Sequence, residues 1–232
     1  MARDMLTKDQ IVQTAIELLD DEGLEGLNMR SLGKRLGTAA TAVYWHVKNK
    51  DDLILLAGDH VWHEIELPDL DTLDWRTAAT AMATSLHTML SRHPWLVQAL
   101  GSHLFYGLGK ARHDDHSLAV YEAAGFVGAE ADRAAATVFT FVLGSVLGAS
   151  AMVSLTRRLS RDGVNAQELI QDTMVKASDV AMQFPRLRSR LTTPAADYNA
   201  SPEQTFESGL NALLNGLEAE LPDRVPTGPD VR

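Results

Sequence analysis

The sequence predicts an all-α protein: an N-terminal three-helix unit built around a helix-turn-helix, a connector helix, and a larger helical domain. Three observations lead there. Apolar residues recur at helical spacing in one segment after another, and no segment alternates with period two for long enough to make a strand. Two short helical runs meet at Gly37, a residue that can adopt the left-handed conformation a helix end often needs. Between Gly26 and Lys50 there is no Asp or Glu, while Arg30, Lys34, Arg35, Lys48 and Lys50 supply five positive charges. The 232-residue chain carries a net charge of -10, so everything outside this window sums to -10 - 5 = -15. Positive charge is therefore concentrated on the stretch that already reads as a helix-turn-helix.

The elements follow in order. Thr7 and Gln10 have the spacing of a capping box, so a helix starts there, with Ile11, Ala15, Leu18 and Leu19 on its apolar face and Gly23 closing it. Asn28 is a suitable N-cap for a helix over 28–36, on which Met29, Leu32 and Leu36 form an inward stripe. A second helix over 39–47 turns Ala40, Val43 and Val47 inward and leaves Thr41, Ala42, Trp45 and His46 pointing outward. An exposed Trp among hydroxyl, imidazole and lysine groups suits a surface that something covers. A DNA duplex would do so, and an ordinary helical hairpin packed on the rest of the chain is the alternative. Asn49 caps a fourth helix, Asp51 and Asp52 lie in its first turn, and Lys50 at its positive end is a candidate phosphate clamp.

Pro68, Asp69 and Asp71 interrupt the pattern. The expected division is a reading domain over 1–48, a connector helix over 49–66 and a helical domain over 67–220, followed by a Pro- and Gly-rich tail over 221–232 expected to be disordered. Within the large domain, Asp74 caps a helix over 75–92 with Met82, Leu86 and Met89 inward. Pro94 starts another that ends near Gly107, and a third covers 115–124 up to Gly125. Residues 134–156 carry no charge, long enough to raise the question of a membrane span, but the Thr and Ser residues along them favour a helix buried in a soluble protein on more than one side. Residues 157–165 read as a polar loop, 166–183 as a helix, 185–202 as a loop, and 203–219 as a helix with Phe206, Leu210, Leu213, Leu214 and Leu217 at helical spacing.

Composition narrows the function. There is no Cys, which excludes disulfide and thiol chemistry and fits a reducing compartment; the N-terminus lacks an apolar signal segment, so a cytoplasmic location is expected. No nucleophile motif or phosphate-binding glycine run is present, and no catalytic residue or cofactor is expected. His60 and His63, like His113 and His116, are three apart, but without a third ligand of clear spacing no metal site is expected.

The stretch from Leu27 to Leu53, above all the run Tyr44, Trp45, His46, Val47, Lys48, Asn49, Lys50, resembles the DNA-binding domain of TetR-family transcriptional regulators. The HPW at 93–95, AAGF at 123–126 and FESGLNALLNGLEA at 206–219 are similar to the regulatory domain of tetracycline-repressor-like members. The resemblance implies that Tyr44, His46 and Lys50 grip DNA phosphates, that Arg30 reaches a base, and that Thr38, Thr41, Ala42 and Trp45 belong to the same surface. Ala39, Ala40 and Ala42 depart from a long-reaching recognition helix, so thymine-methyl contacts and Arg30 would carry most discrimination. A histidine that holds a tetracycline and magnesium chelate in family members falls here at or near Glu66, so such a ligand is not expected.

The resulting expectation is a homodimeric regulator, most often a repressor by family habit. Its partners would be a palindromic double-stranded DNA operator and a small-molecule effector of unknown identity, with no membrane. Met82, His87, His103, Phe105, Tyr106, Phe139 and Phe141 are the candidate pocket lining, aromatic and polar as a small-molecule site should be. Phe141, Gly144, Ser145 and Gly148, together with Phe206, Leu210, Leu213 and Leu217, are the candidate dimer face. A helical binding protein without operator affinity, or a small enzyme, are the alternatives.

Overall fold

The computed structural model describes residues 6–191 and 202–221; among these there are eleven helices and no strand. Helix α1 (Lys8–Gly26) starts on the capping box: the Thr7 hydroxyl accepts the Gln10 N–H at 3.2 Å and the Gln10 side chain accepts the Thr7 N–H at 2.9 Å. Gly23, with φ of 72°, takes the chain out of regular helix before α1 ends. Helices α2 (Met29–Arg35) and α3 (Ala40–Val43) pack on it around Ile11, Leu18, Leu19, Leu32, Val43 and Val47, all buried. Helix α4 (Lys50–Trp62) follows, and its Leu53, Ile54, Ala57, Val61 and Trp62 are buried as well.

The remaining helices are α5 (Trp75–Arg92), α6 (Pro94–Leu100), α7 (Leu108–Ala124), α8 (Ala129–Arg161), α9 (Ala166–Ala181), α10 (Pro185–Leu191) and α11 (Pro202–Glu220). The Asp74 carboxylate caps α5 by accepting the N–H groups of Arg76 and Thr77, as the sequence predicts. Several boundaries differ from expectation. The regular part of α3 stops at Val43, and residues 44–46 continue as a turn. Helix α6 ends at Leu100 rather than near Gly107, and α7 begins at Leu108 rather than near 115, because the Asp59 side chain on α4 accepts the N–H groups of Gly109 and Lys110 at 2.9 and 3.1 Å. That cap comes from another element, so local sequence does not reveal it. Helix α8 continues through the expected loop at 157 to Arg161, where Arg157 donates to the Asp20 carbonyl and Arg161 reaches Glu25 and the Glu22 carbonyl of α1. The loop expected over 185–202 contains α10; residues 192–201 of that loop and 222–232 of the expected tail lie outside the described residues.

One apolar core joins α1 through α8 with α11, while α9 and α10 contribute nothing to it. Helix α8 is long and apolar enough to cross a membrane, but it packs on α5 and α6 through Val138, Val142 and Val146, and the Ser150 hydroxyl donates to the Pro94 carbonyl at 2.6 Å. Its opposite side, with Gly144, Ser145, Leu147 and Gly148, is exposed. Helix α11 requires a correction. Phe206, Leu210 and Leu217 are buried against this chain, Leu213 is half-buried against the same core, and Phe206 stacks on His87 at 4.1 Å and on Phe141 at 5.8 Å. At Gly209 a Cβ would meet the Phe141 ring at 2.7 Å, so the absence of a side chain lets α11 seat on α8. The apolar stripe expected to face a second subunit thus belongs to the chain's own core, and the residues α11 leaves exposed are polar ones such as Glu207, Asn211 and Glu218 beside a stripe of small ones, Ala212, Gly216 and Ala219.

Candidate nucleic-acid interface and ligand cavity

The reading unit is shaped by two close approaches. The Asn28 side chain caps α2 by accepting the N–H groups of Arg30 and Ser31 at 3.1 and 2.9 Å. Gly37, with φ of 65°, then turns the chain, and the Thr38 N–H returns to the Gly33 carbonyl at 2.9 Å. Gly33 has a role the sequence reading did not identify: a Cβ there would lie 2.9 Å from the Thr38 carbonyl oxygen and 3.0 Å from the Ala40 nitrogen. Only a glycine lets α2 and α3 meet this closely, and the sole local signal is its placement four residues before the turn glycine.

Of the residues expected to point outward, Thr41, Trp45 and His46 do so, while Ala42 is only partly open. Trp45 is 88% exposed and Tyr44 54%; Arg30, Thr41 and His46 are exposed, Thr38 and Ala42 half-buried. Ala40 is half-buried and Val43 and Val47 are buried beneath them. Two of the five cations are engaged within the unit. Arg35 pairs with Asp21 at 2.7 Å. Lys50, expected as a free phosphate clamp, instead donates to the Leu24 carbonyl and is half-buried. Its long stem reaches back to the frayed end of α1, a partner 26 residues away that no local pattern suggests.

The expected pocket lining does not converge. Met82 and Phe139 line a narrow cavity between α5, α7 and α8 with Leu86, His113, Val120 and Tyr121; its volume is about 20 Å³, room for roughly one water. His87 and Phe141 instead stack on Phe206. Phe105 lies against Gly58, where a Cβ would fall 2.0 Å from its ring. His103 approaches Asp51 at 3.5 Å, and Tyr106 is 75% exposed. The cause is the early start of α7, which takes residues 101–107 to the connector side and brings His113, Ser117 and Tyr121 to the cavity instead.

His113, Ser117, Ala135 and Phe139 also line an adjoining cleft of about 250 Å³, whose mouth holds Lys110, Asp114 and Asp132. The walls are apolar and the rim is charged, the character of an organic-ligand site. Burial pushes the Tyr121 phenol above its usual range, so it stays neutral. Immediately behind the wall lies Trp62 of α4, 4.9 Å from the His113 ring and 6.3 Å from Phe139, with Lys110 Nζ 5.4 Å from its centroid. The Trp62 indole N–H is buried and meets no acceptor among the described residues. The sequence offered His113 only as half of a doubtful metal pair and offered Ser117 and Tyr121 not at all. Their i, i+4, i+8 spacing is the available signal.

Residues 11–57 match the bacterial regulatory proteins of the tetR family, and residues 67–221 match the tetracyclin repressor-like C-terminal domain. An HTH-type transcriptional regulator of Saccharopolyspora erythraea is 32% identical over 217 residues, covering 94% of this chain and 86% of that protein. The class C tetracycline repressor protein of Escherichia coli is 29% identical, over 92% of this chain and 91% of its own length. Among solved structures, the Streptomyces coelicolor TetR family protein ActR in complex with actinorhodin has a TM-score of 0.74 at 28% identity, covering 95% of this chain and 99% of that one. With the C-terminal match alone spanning more than half its length and an exposed aromatic, basic reading unit at its front, this chain belongs to the TetR family of bacterial regulatory proteins.

Proposed function

We propose that this protein is a cytoplasmic, non-enzymatic, homodimeric repressor that leaves a palindromic operator when a small organic molecule enters its helical domain. The observation that carries the reading is Trp45, 88% exposed beside Tyr44 and His46 on an acid-free, basic edge of an acidic protein. Residues 1–48 form the reading domain, 49–66 the connector and 67–220 the effector and dimer domain. Arg30 reads a base, Thr38, Thr41, Ala42 and Trp45 lie along the groove, and Tyr44 and His46 hold phosphates. Lys50 joins them by exchanging the Leu24 carbonyl for a phosphate oxygen. Two reading helices of a dimer would enter successive major grooves about 34 to 36 Å apart.

The second copy covers the side of α8 that carries Gly144, Ser145, Leu147 and Gly148, together with the small-residue face of α11. Small residues allow two helix pairs to approach closely, and the apolar Leu147, 58% exposed, would be removed from water. The effector site is the cleft between α7 and α8 with the narrow cavity behind it. ActR binds actinorhodin, which supports an organic effector here. A ligand that displaced His113, Phe139 or Lys110 would push on Trp62 and, through the Asp59 cap, on the connector.

The test is selection of bound duplexes from random DNA by the full-length protein, followed by affinity measurement at several salt concentrations. A palindromic consensus and a linear fall of log affinity with log salt are expected. Failure to enrich any sequence, with no salt-dependent binding, would refute the operator reading.

A further inference from the structure

The α1 end that faces the regulatory domain is tied down by a histidine rather than by apolar packing alone. His93 sits between α5 and α6, 3% exposed. Its Nδ1 lies 2.7 Å from Asp20 Oδ1 on α1, and its Nε2 lies 3.0 Å from Glu64 Oε1 just past the end of the connector α4. The other groups facing this ring come from every neighbouring element. Arg92 of α5 pairs with Glu64 Oε2 at 2.8 Å, the Trp95 indole of α6 donates to Asp20 Oδ1 at 2.8 Å, and Arg157 of α8 donates to the Asp20 carbonyl.

The chemistry of an imidazole makes this arrangement conditional. The neutral ring has one donor and one acceptor nitrogen, so between two carboxylates it must aim a lone pair at one of them. Only the imidazolium donates to both. With it, both carboxylates receive an N–H from the ring; without it, one of the two contacts sets a nitrogen lone pair against a carboxylate oxygen and turns repulsive. Asp20, Glu64 and His93 belong to the reading unit, the end of the connector and the regulatory domain, so this ring joins three parts that must move relative to one another if an effector is to change operator spacing.

We propose that His93, as an imidazolium shared by Asp20 and Glu64, is a positioning residue that latches the reading domain in its operator-competent orientation, so that operator affinity falls when the ring loses its proton. This rests on the operator reading above. Burial by itself would lower the His93 pKa, but the hydrogen bonds and charges of Asp20 and then Glu64 outweigh it and raise the pKa above the ordinary histidine value. A raised folded-state pKa means the latch is complete below the unfolded value, about pH 6.5, and is lost as pH rises through the folded one.

The experiment measures affinity of the full-length dimer for the duplex that the wild type selects from random DNA, and for a scrambled duplex, between pH 6 and 9 at fixed ionic strength. The ratio of the two cancels contacts to the phosphate backbone, those of His46 among them. For the wild type this ratio should fall on the order of tenfold on the alkaline side, as expected of a coupling between sites. Glu64→Gln gives either form of the ring a matching partner, so its ratio should stay high and flat. His93→Ala should be low throughout. A wild-type ratio independent of pH, or an alkaline fall in Glu64→Gln equal to that of the wild type, would overturn the latch. If no duplex is selected, the operator reading fails instead. An NMR titration of the His93 ring then decides separately, since the latch requires an elevated pKa that drops in Asp20→Asn.

Discussion

Asp59 on the connector helix accepts the N–H of Gly109 at 2.9 Å, and so caps α7 from outside that helix. The same carboxylate accepts the N–H of Lys110, whose ammonium lies over the Trp62 ring. Connector and cavity wall therefore share two attachments one turn apart on α4. Gly107 permits the approach, since a Cβ there would meet the Asp59 carboxylate at 2.2 Å.

Removing this cap should loosen the connector. Asp59→Ala is expected to lose about 1 kcal/mol of stability, the usual worth of an N-cap, whereas Asp59→Asn should retain most of it. Urea unfolding at one fixed protein concentration checks this, because dimer stability depends on concentration. Equal stability of wild type and Asp59→Ala would show that α7 does not depend on the cap.

Base reading and phosphate grip should separate. Arg30→Ala is expected to cost roughly 1 to 3 kcal/mol on the selected duplex and little on a scrambled one. Tyr44→Phe should weaken both by the same factor. An equal loss on both duplexes for Arg30→Ala would remove it from the base-reading set.

The seat of α11 on α8 should be the costliest to disturb. Phe206→Ala empties the space between His87 and Phe141 and is expected to cost about 3 to 5 kcal/mol. Gly209→Ala should also destabilise, because its new methyl group meets the Phe141 ring. Thermal unfolding of both variants distinguishes this from an α11 that serves only a second subunit, in which case neither would affect the folded protomer beyond its dimerisation.

His87 should act on stability in the sense opposite to His93. Burial beneath Phe206 lowers its pKa, with the Glu203 charge pulling weakly the other way. A lowered folded-state pKa means that the unfolded chain binds the proton more readily, so stability is full above about pH 6.5 and is lost as pH falls through the folded value. His87→Gln should flatten the acid side of the stability profile between pH 7 and pH 5 in urea unfolding. An unchanged acid loss in that variant would assign it to other groups.

Much of this protein is decided within a few residues of chain. The Thr7 and Gln10 capping box, the caps at Asn28, Asn49 and Asp74, the turns at Gly37 and Gly125, and the charge window from Gly26 to Lys50 set where α1, α2, α4 and α5 start, where α2 and α7 stop, and which face of the reading helix is bare. Each acts over one or two turns, so periodicity and composition suffice to read it. The tertiary structure decided the rest, because the partners are far apart in sequence. Asp59 reaches 50 residues to cap α7, Lys50 is drawn to Leu24, and Phe206 turns the α11 stripe inward onto α8. His93 meets Asp20 across 73 residues and Glu64 across 29. An apolar stripe declares that it must be covered but not by what, and a histidine declares its donors but not its acceptors; only packing supplies the other half.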